Sequence, residues 1–368
     1  MGGRGAVVLA NLVAAFPART AVRTPGALVL GRSDRPAGSG SMWAISYLPV
    51  DAMTAREARE GRPAAPAGRA VHLATGVSTW VWEVPGPPGA PVVVLLHGWM
   101  ATAALNWYGS LDYLGRSFRV IAPDIRGHGR LGRGAPPFTL EGCADDIAGL
   151  EDALGVGRAL VVGYSMGGAI AQVFAKRHRD RAEGLVLCAT AACFARRLKL
   201  RPVVRAMGRF GSGAVRRWPD AGQRFLSWRI ARHDQLAVAR RARAERRAGV
   251  AGSGRAATAG GEVARNGGPV HPDWALEERS MADLAAFIEA GAALNAYDSS
   301  AWLPDLDIPA AALVTQRDKM VAPWRQEAMV GLIRGARRYV VDAGHDAVVS
   351  QPEVFLPALR DACTGLIA

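Results

Sequence analysis

Apolar and polar positions follow two alternating patterns from residue 70 onward. Short, continuous apolar runs at Val92–Leu96, Ala159–Val162 and Ala310–Thr315 are typical of strands that are covered on both faces in a parallel sheet. Between such runs apolar residues recur at helical spacing, and Thr139 is placed to cap a helix that ends near Leu154. Strands that alternate with helices predict an α/β fold with a doubly wound, mostly parallel sheet.

Weaker patterns complete this alternation. A hairpin with its turn at Gly76 is predicted to precede the first parallel strand. The hairpin strands are predicted at 71–73 and 78–84, and further strands are predicted at 119–124, 184–189 and 338–341. Further helices are predicted at 105–114, after Ser165, at 324–332 and from about residue 352 to the end of the pattern.

The alternation breaks between residues 194 and 295. This segment is helical in pattern and basic, and glycine-rich stretches interrupt it, with low complexity at 250–269. It predicts a helical cap, 194–295, inserted between two parts of an α/β core, 70–193 and 296–368.

The first 69 residues lack sustained periodicity. They are rich in Ala, Gly, Arg and Pro, so we expect residues 1–69 to form a low-complexity, disordered extension. An apolar stretch near the start only weakly resembles a secretion signal. We therefore expect residues 1–41 to be disordered or untranslated, with Met42 as the start.

Composition narrows the class of protein further. Half of the residues are hydrophobic, which suffices for a sizeable core, and no apolar run reaches the length of about 18 residues that a membrane-spanning helix needs. The four cysteines show neither C-x-x-C spacing nor partner histidines, so we expect reduced thiols and no bound metal. We expect a soluble, cytoplasmic protein with no cofactor.

The basic surplus of the chain lies in one segment. Residues 194–266 hold 18 Lys and Arg against 4 Asp and Glu, whereas the rest of the chain holds 27 against 28. Two interpretations stay open: a solvated, arginine-rich helical surface, or contact with an anionic substrate, acidic partner or membrane surface. We expect no nucleic-acid partner.

The segment Gly163-Tyr164-Ser165-Met166-Gly167 stands where a strand pattern passes into a helical pattern. Such a corner holds a serine hydroxyl out at the top of a sheet, and the N-terminus of the following helix favours negative charge there. Because G-x-S-x-G also arises by chance in a glycine-rich chain, the assignment of Ser165 as a nucleophile requires a base, an acid and an oxyanion site elsewhere.

Two residues that follow predicted strands supply the base and the acid. His345 comes after the last strand and is the predicted base, and Asp318 comes after the strand 310–315 and is the predicted acid. Asp342 and Asp346 are competitors for the acid, but they flank His345 too closely to reach its far ring nitrogen easily.

The oxyanion hole is predicted to use two main-chain N–H groups, those of Met166 and Trp99. Trp99, Met100 and Tyr164 are the candidates for lining the substrate pocket. His97 also follows a strand, but we expect it to bind the loop backbone as a structural residue.

Taken together, these motifs resemble the α/β-hydrolase family. The motifs that carry the resemblance are His97-Gly98-Trp99, Asp124-Ile125-Arg126-Gly127-His128-Gly129, the serine pentapeptide followed by Gly168, Asp318, and Gly344-His345. They stand in the family's order of nucleophile, acid and histidine, and the resemblance covers roughly residues 70–365. It implies a Ser-Asp-His triad, a variable cap at 194–295, and a loop around Asp124 and His128 that shapes the site entrance without a catalytic role.

The resemblance also bears on the reaction. Serine in place of aspartate at position 165 argues against the epoxide-hydrolase and haloalkane-dehalogenase branches, and Met100 stands where many relatives have proline. We expect a serine hydrolase that acts on a small ester or related acyl substrate. The alternatives are an acyltransferase or thioesterase, a C–C bond hydrolase, a cofactor-free haloperoxidase-like enzyme, and a ligand receptor without turnover.

Overall fold

The computed structural model describes residues 68–194, 201–222, 224, 225, 228 and 272–367. Most of the predicted N-terminal extension, including Met42, and the low-complexity stretch 250–269 lie outside the described residues. Within the described ranges, no helix combines the length and the apolar character that crossing a bilayer requires.

The strands of the described residues form one sheet in the order β1-β2-β4-β3-β5-β6-β7-β8. β1, β2 and β4 pair antiparallel, and every pairing from β4 across to β8 is parallel. The strands are β1 Gly68–His72, β2 Ser78–Val84, β3 Val92–Leu96, β4 Arg119–Pro123, β5 Ala159–Tyr164, β6 Ala182–Cys188, β7 Ala310–Thr315 and β8 Arg337–Val341. This architecture confirms the predicted fold class, although β1 begins three residues before the strand predicted at Val71.

The centre of the sheet is apolar on both faces. Along β3, Val94 and Leu96 join one hydrophobic cluster, while Val93 and Leu95 join a second cluster on the opposite face. Alternation of side chains along a strand produces this division, and all four are fully buried. The parallel strands end at the same edge of the sheet, so the loops that follow them meet there.

Helices pack on both faces of the sheet. Thr139 caps the second helix as predicted, because its hydroxyl accepts a 2.9 Å hydrogen bond from the Gly142 N–H. The helices are α1 Ala103–Gly115, α2 Leu140–Ala153, α3 Met166–Arg177, α4 Arg201–Arg217, α5 Pro272–Ser280, α6 Leu284–Ala296, α7 Pro323–Leu332, α8 Ala347–Ser350 and α9 Pro352–Ile367.

Helices α4, α5 and α6 lie between β6 and β7 in the chain, where the sequence predicts the cap. Glu289 on α6 joins this segment to the core: it accepts hydrogen bonds from the Phe138 N–H at 2.7 Å and from the guanidinium of Arg216 on α4 at 2.9 Å. The Asp283 N–H donates to the Gly127 carbonyl at 2.9 Å. α6 is therefore held both by the core and by α4.

Candidate active site

Ser165 lies at the corner between β5 and α3, with φ 53° and ψ −110°. Positive φ is strained for a residue with a side chain, and this conformation is the one that turns the hydroxyl away from the strand. Two glycines make the corner possible. A Cβ on Gly163 would collide with the Gly167 carbonyl, and a Cβ on Gly167 would collide with the Leu96 carbonyl.

The structure brings Ser165 together with the predicted base and acid. Nε2 of His345 lies 3.1 Å from the Ser165 hydroxyl oxygen, and Nδ1 of His345 lies 2.7 Å from Oδ2 of Asp318. The three residues come from the ends of β5, β7 and β8. The competitor Asp342 is instead exposed and paired with Arg317 at 3.1 Å.

The carboxylate of Asp318 is buried and accepts hydrogen bonds at both oxygens. Oδ1 accepts from the N–H groups of Met320 and Val321, each at 2.8 Å. Oδ2 accepts from the Thr315 hydroxyl at 3.0 Å and the Gln326 amide at 3.1 Å, in addition to His345. Hydrogen bonds from so many donors fix the orientation of the carboxylate. This arrangement directs Nδ1 of His345 to the carboxylate and Nε2 to the Ser165 hydroxyl, which is the orientation that a base for Ser165 requires.

Tyr164 supports the loop that carries His345. Its hydroxyl donates a 2.5 Å hydrogen bond to the main-chain carbonyl of His345, and its ring packs edge-on against Trp107 and Phe355. The side chain is only 3% exposed, and burial raises the pKa of its hydroxyl well above the usual value. Tyr164, which the sequence predicts as a pocket residue, thus holds the His345 loop through its hydroxyl, and its ring is buried in the core cluster that contains Phe355.

The loop after β3 passes beside the nucleophile. A Cβ built on Gly98 would lie 3.6 Å from Cβ of Ser165, so this loop approaches Ser165 at Gly98, directly before Trp99. Met100 continues the loop at φ 62°. Met166 is the first residue of α3, so its own N–H has no acceptor within the helix. Trp99 and Met166 remain the predicted oxyanion donors: the first lies on the loop that passes Ser165, and the second follows Ser165 in the chain.

The side chains of these donor residues point to different surroundings. The indole N–H of Trp99 donates to the Phe287 carbonyl at 3.1 Å, and the two rings stack with centroids 4.6 Å apart. Trp99 thus ties the loop to α6, and Met100 is half-buried next to it. The Met166 side chain, in contrast, is fully buried in the core.

The loop after β4 has a structural role. Asp124 is buried and accepts hydrogen bonds from the N–H groups of Ala103 at 2.8 Å and Arg130 at 3.2 Å, while burial raises its pKa to about 7. His97 accepts at Nε2 from the Ile125 N–H, 2.9 Å away, and contacts the Gly98 carbonyl through Nδ1. Burial lowers the pKa of His97 to about 3, so the imidazole stays neutral as a bridge between two loops.

Comparison with known proteins identifies the fold. A family model described as "alpha/beta hydrolase fold" matches residues 91–248. The chain has the alpha/beta hydrolase fold. The matched residues include the Trp99 loop and the corner at Ser165, and they end before Asp318 and His345.

Individual relatives with the alpha/beta hydrolase fold have different activities. The chain is 37% identical over 94 residues to a bifunctional esterase/perhydrolase of Acinetobacter calcoaceticus, and 35% identical over 109 residues to epoxide hydrolase B of Mycobacterium tuberculosis. These matches cover 25% and 29% of this chain and 34% and 30% of the relatives, so the chain spans about a third of their length. Among solved structures, a thermophilic esterase from Thermogutta terrifontis superimposes with a TM-score of 0.57 at 28% identity, covering 82% of this chain and all of the esterase.

Three features of this candidate site are not predicted from the sequence. They are the hydrogen bonds of Thr315 and Gln326 to Asp318, the hydrogen bond of the Tyr164 hydroxyl to the His345 carbonyl, and the contact between Trp99 and Phe287. Thr315 ends the strand before Asp318, so its position gave a usable signal. The other contacts join residues that are distant in sequence, and no local pattern marks them.

Proposed function

We propose that the chain is a serine hydrolase that cleaves a carboxylic ester or related small acyl substrate through an acyl-enzyme on Ser165. The observation that carries this proposal is the continuous hydrogen-bonded line from Asp318 through His345 to Ser165, with distances of 2.7 Å and 3.1 Å. A nucleophile, a base within hydrogen-bond reach and a third group that orients the base are the requirements for nucleophilic acyl transfer. The esterase names of two relatives described above favour an ester among the acyl substrates.

The first half of the reaction forms the acyl-enzyme. Nε2 of His345 takes the proton of the Ser165 hydroxyl as Oγ attacks the substrate carbonyl carbon, and the carbonyl electrons move onto oxygen. The N–H groups of Trp99 and Met166 donate to that oxyanion. When the tetrahedral intermediate collapses, the carbon–oxygen bond to the alcohol breaks and the alcohol leaves with the proton from His345.

The second half regenerates the enzyme. Water gives a proton to His345 as its oxygen attacks the acyl carbon, and collapse of the second tetrahedral intermediate breaks the bond to Oγ. The proton returns from His345 to Ser165, and the carboxylic acid is released. Asp318 stays ionised throughout and stabilises the imidazolium that forms in each half.

The segment 194–295 acts in this proposal as the cap over the site. Support comes from α6, because Phe287 both stacks on Trp99 and accepts a hydrogen bond from its indole. The acyl pocket then lies between the Trp99–Met100 loop and α6. Substitutions at Phe287 should change substrate preference more than they change the chemistry at Ser165.

A fluorophosphonate probe and a chain-length panel of p-nitrophenyl esters test the proposal. The wild-type protein should be labelled by the probe and should hydrolyse at least one ester, whereas Ser165→Ala should show neither labelling nor hydrolysis. Ser350→Ala is the matched control, because within the described residues its hydroxyl donates to the carbonyl of Asp346, the N-cap of the same short helix α8. Equal labelling of wild type and Ser165→Ala would contradict the assignment, and turnover of a thioester alone would move the substrate class to thioesters.

A further inference from the structure

Helix α4 exposes an apolar side chain in the middle of its outer face. Phe210 is 88% exposed, and Trp218, directly after the helix, is 61% exposed. Exposure of two large aromatic rings to water is unfavourable, so such a surface indicates a binding partner. The described residues that share the outer face of the helix at helical spacing are Ala206, Arg209, Phe210, Gly213, Ala214 and Arg217.

Two arginines flank the exposed phenylalanine. Arg209 and Arg217 are both exposed, and no carboxylate within the described part of the chain pairs with either. Arg216, which points inward from the same helix, is instead paired with Glu289 through two hydrogen bonds of 3.0 and 2.9 Å. We call Arg209, Phe210, Arg217 and Trp218 the basic-aromatic surface; it lies in the segment 194–266, with its 18 basic and 4 acidic residues.

The other side of α4 packs on the helix that contacts the site. Val215 lies in a small hydrophobic cluster with Leu284, Phe287 and Ile288 of α6. Phe287 in turn stacks on Trp99 beside the nucleophile. The basic-aromatic surface is therefore on the exposed side of α4, opposite the side that packs on α6.

We propose that the basic-aromatic surface binds the surface of an anionic lipid bilayer. A helix lies in the membrane interface when it offers aromatic side chains to the headgroup and acyl boundary and cationic side chains to anionic headgroups. Phe210 and Trp218 supply the first contact, and Arg209 and Arg217 supply the second. A nucleic acid would instead need a basic groove that follows its backbone, whereas this surface is the convex side of one helix.

Vesicle binding by the full chain tests this proposal. The wild-type chain should bind vesicles that contain phosphatidylglycerol at least about tenfold more tightly than pure phosphatidylcholine vesicles, because each arginine near an anionic surface contributes about fivefold in affinity. Binding should weaken as salt is added, since exposed charges are screened. Equal affinity for the two vesicle types, or none for either, would overturn the proposal.

Paired variants distinguish vesicle binding through the basic-aromatic surface from nonspecific adsorption of the protein. Phe210→Ser with Trp218→Ser should weaken binding by about tenfold or more, because the aromatic contact with the interface is lost. Trp324→Ser is the matched control: Trp324 is 64% exposed and has the guanidinium of Arg325 above its ring at 4.6 Å, but it lies on α7. Wild-type affinity of the double variant, or an equal loss in the control, would contradict the proposal.

Two further measurements complete the design. Arg209→Gln with Arg217→Gln should reduce affinity and flatten the salt dependence, whereas Arg360→Gln, an exposed arginine on α9, should change neither. Ser165→Ala should bind vesicles like wild type, so the lipid proposal and the proposed catalysis fail independently. A single-stranded oligonucleotide can be added as a competitor. If it displaces the protein from vesicles when its phosphate concentration is lower than that of the lipid, the arginines bind nucleic acid and the proposal is overturned.

Discussion

The hydroxyl of Tyr164 donates a 2.5 Å hydrogen bond to the main-chain carbonyl of His345, 181 positions further along the chain. Tyr164 immediately precedes the nucleophile, so one residue fixes the position of Ser165 through the main chain and that of His345 through the side chain. The ring is held between Trp107 and Phe355 and has little freedom to move. The packing of this buried tyrosine therefore helps to set the distance between Ser165 and His345.

Tyr164→Phe should lower kcat by about tenfold and leave KM nearly unchanged. The variant keeps the ring but leaves the His345 carbonyl without its donor. An unsatisfied buried carbonyl costs about 1–3 kcal/mol, so we expect the loop that carries His345 to shift. Steady-state kinetics on the best p-nitrophenyl ester would measure this. Tyr339→Phe is the control, because it removes a comparable hydroxyl bond to the Asp361 carbonyl far from the site. Equal kcat in the two variants would show that Tyr164 does not position the base.

Asp318→Asn should reduce kcat by about 10³–10⁴-fold while the protein stays folded. The amide has nearly the shape of the carboxylate, but it cannot accept at both positions and does not stabilise the imidazolium of His345. Asp342→Asn is the matched control, since Asp342 is 73% exposed and pairs only with Arg317 in the described structure. Its activity should stay within about twofold of wild type, because exposed ion pairs contribute little. The reverse ranking of the two variants would make Asp342 the acid.

The parallel part of the fold was predictable because its strands are uniformly apolar. Runs such as Val92–Leu96 and Ala310–Thr315 leave no polar face, and only a sheet covered on both sides satisfies that pattern. The first strand was less predictable: β1 carries Gly68, Arg69 and His72 at an exposed edge, where few positions need to be apolar. The sheet order was not predicted, because strand neighbours depend on contacts between distant segments.

The candidate site was predictable to the extent that chemistry follows strand ends. Ser165, Asp318 and His345 each stand just after a strand, so their meeting at one sheet edge followed from the topology. The surroundings of the Tyr164 ring, in contrast, could not be predicted. Residue type and proximity to Ser165 do not reveal which way a ring points, and this ring points into the cluster that contains Phe355.

Gly167→Ala should unfold the corner and lower the melting temperature by several degrees, with loss of ester hydrolysis. The added methyl group would collide with the Leu96 carbonyl, and main chain cannot move aside as a flexible side chain can. Gly157→Ala provides the control, because a Cβ there has nothing within 4 Å. Thermal unfolding of both variants measures the difference. A wild-type melting temperature for Gly167→Ala would mean that α3 and β3 are not packed as closely as described.

Glu151 on α2 is a buried carboxyl group outside the site. It is 1% exposed, and neither of its side-chain oxygens has a hydrogen-bond partner in the described part of the protein. The Arg181 guanidinium lies 4.0 Å away. Burial raises the pKa of Glu151 to about 8 in the folded protein, whereas an unfolded glutamate has a pKa of about 4.3.

This difference makes the free energy of unfolding depend on pH. Between about pH 4.3 and pH 8 the unfolded chain gives up the Glu151 proton while the folded chain keeps it, so stability falls as pH rises, by at most about 1.4 kcal/mol per pH unit. Glu151→Met removes the ionisable group at similar volume. The variant should therefore be more stable than wild type at pH 8, and its advantage should shrink steadily as the pH is lowered towards about 4.3.

Denaturant unfolding of both proteins across that pH range measures the advantage directly. Glu141→Gln is the control on the same helix, because Glu141 is exposed in the first turn of α2 and the variant retains the buried Glu151. The control should keep the wild-type pH dependence. The stability difference between Glu151→Met and wild type could instead be constant with pH. Glu151 would then already be ionised in the folded protein, because a group with the same charge in the folded and unfolded states does not make the free energy of unfolding depend on pH.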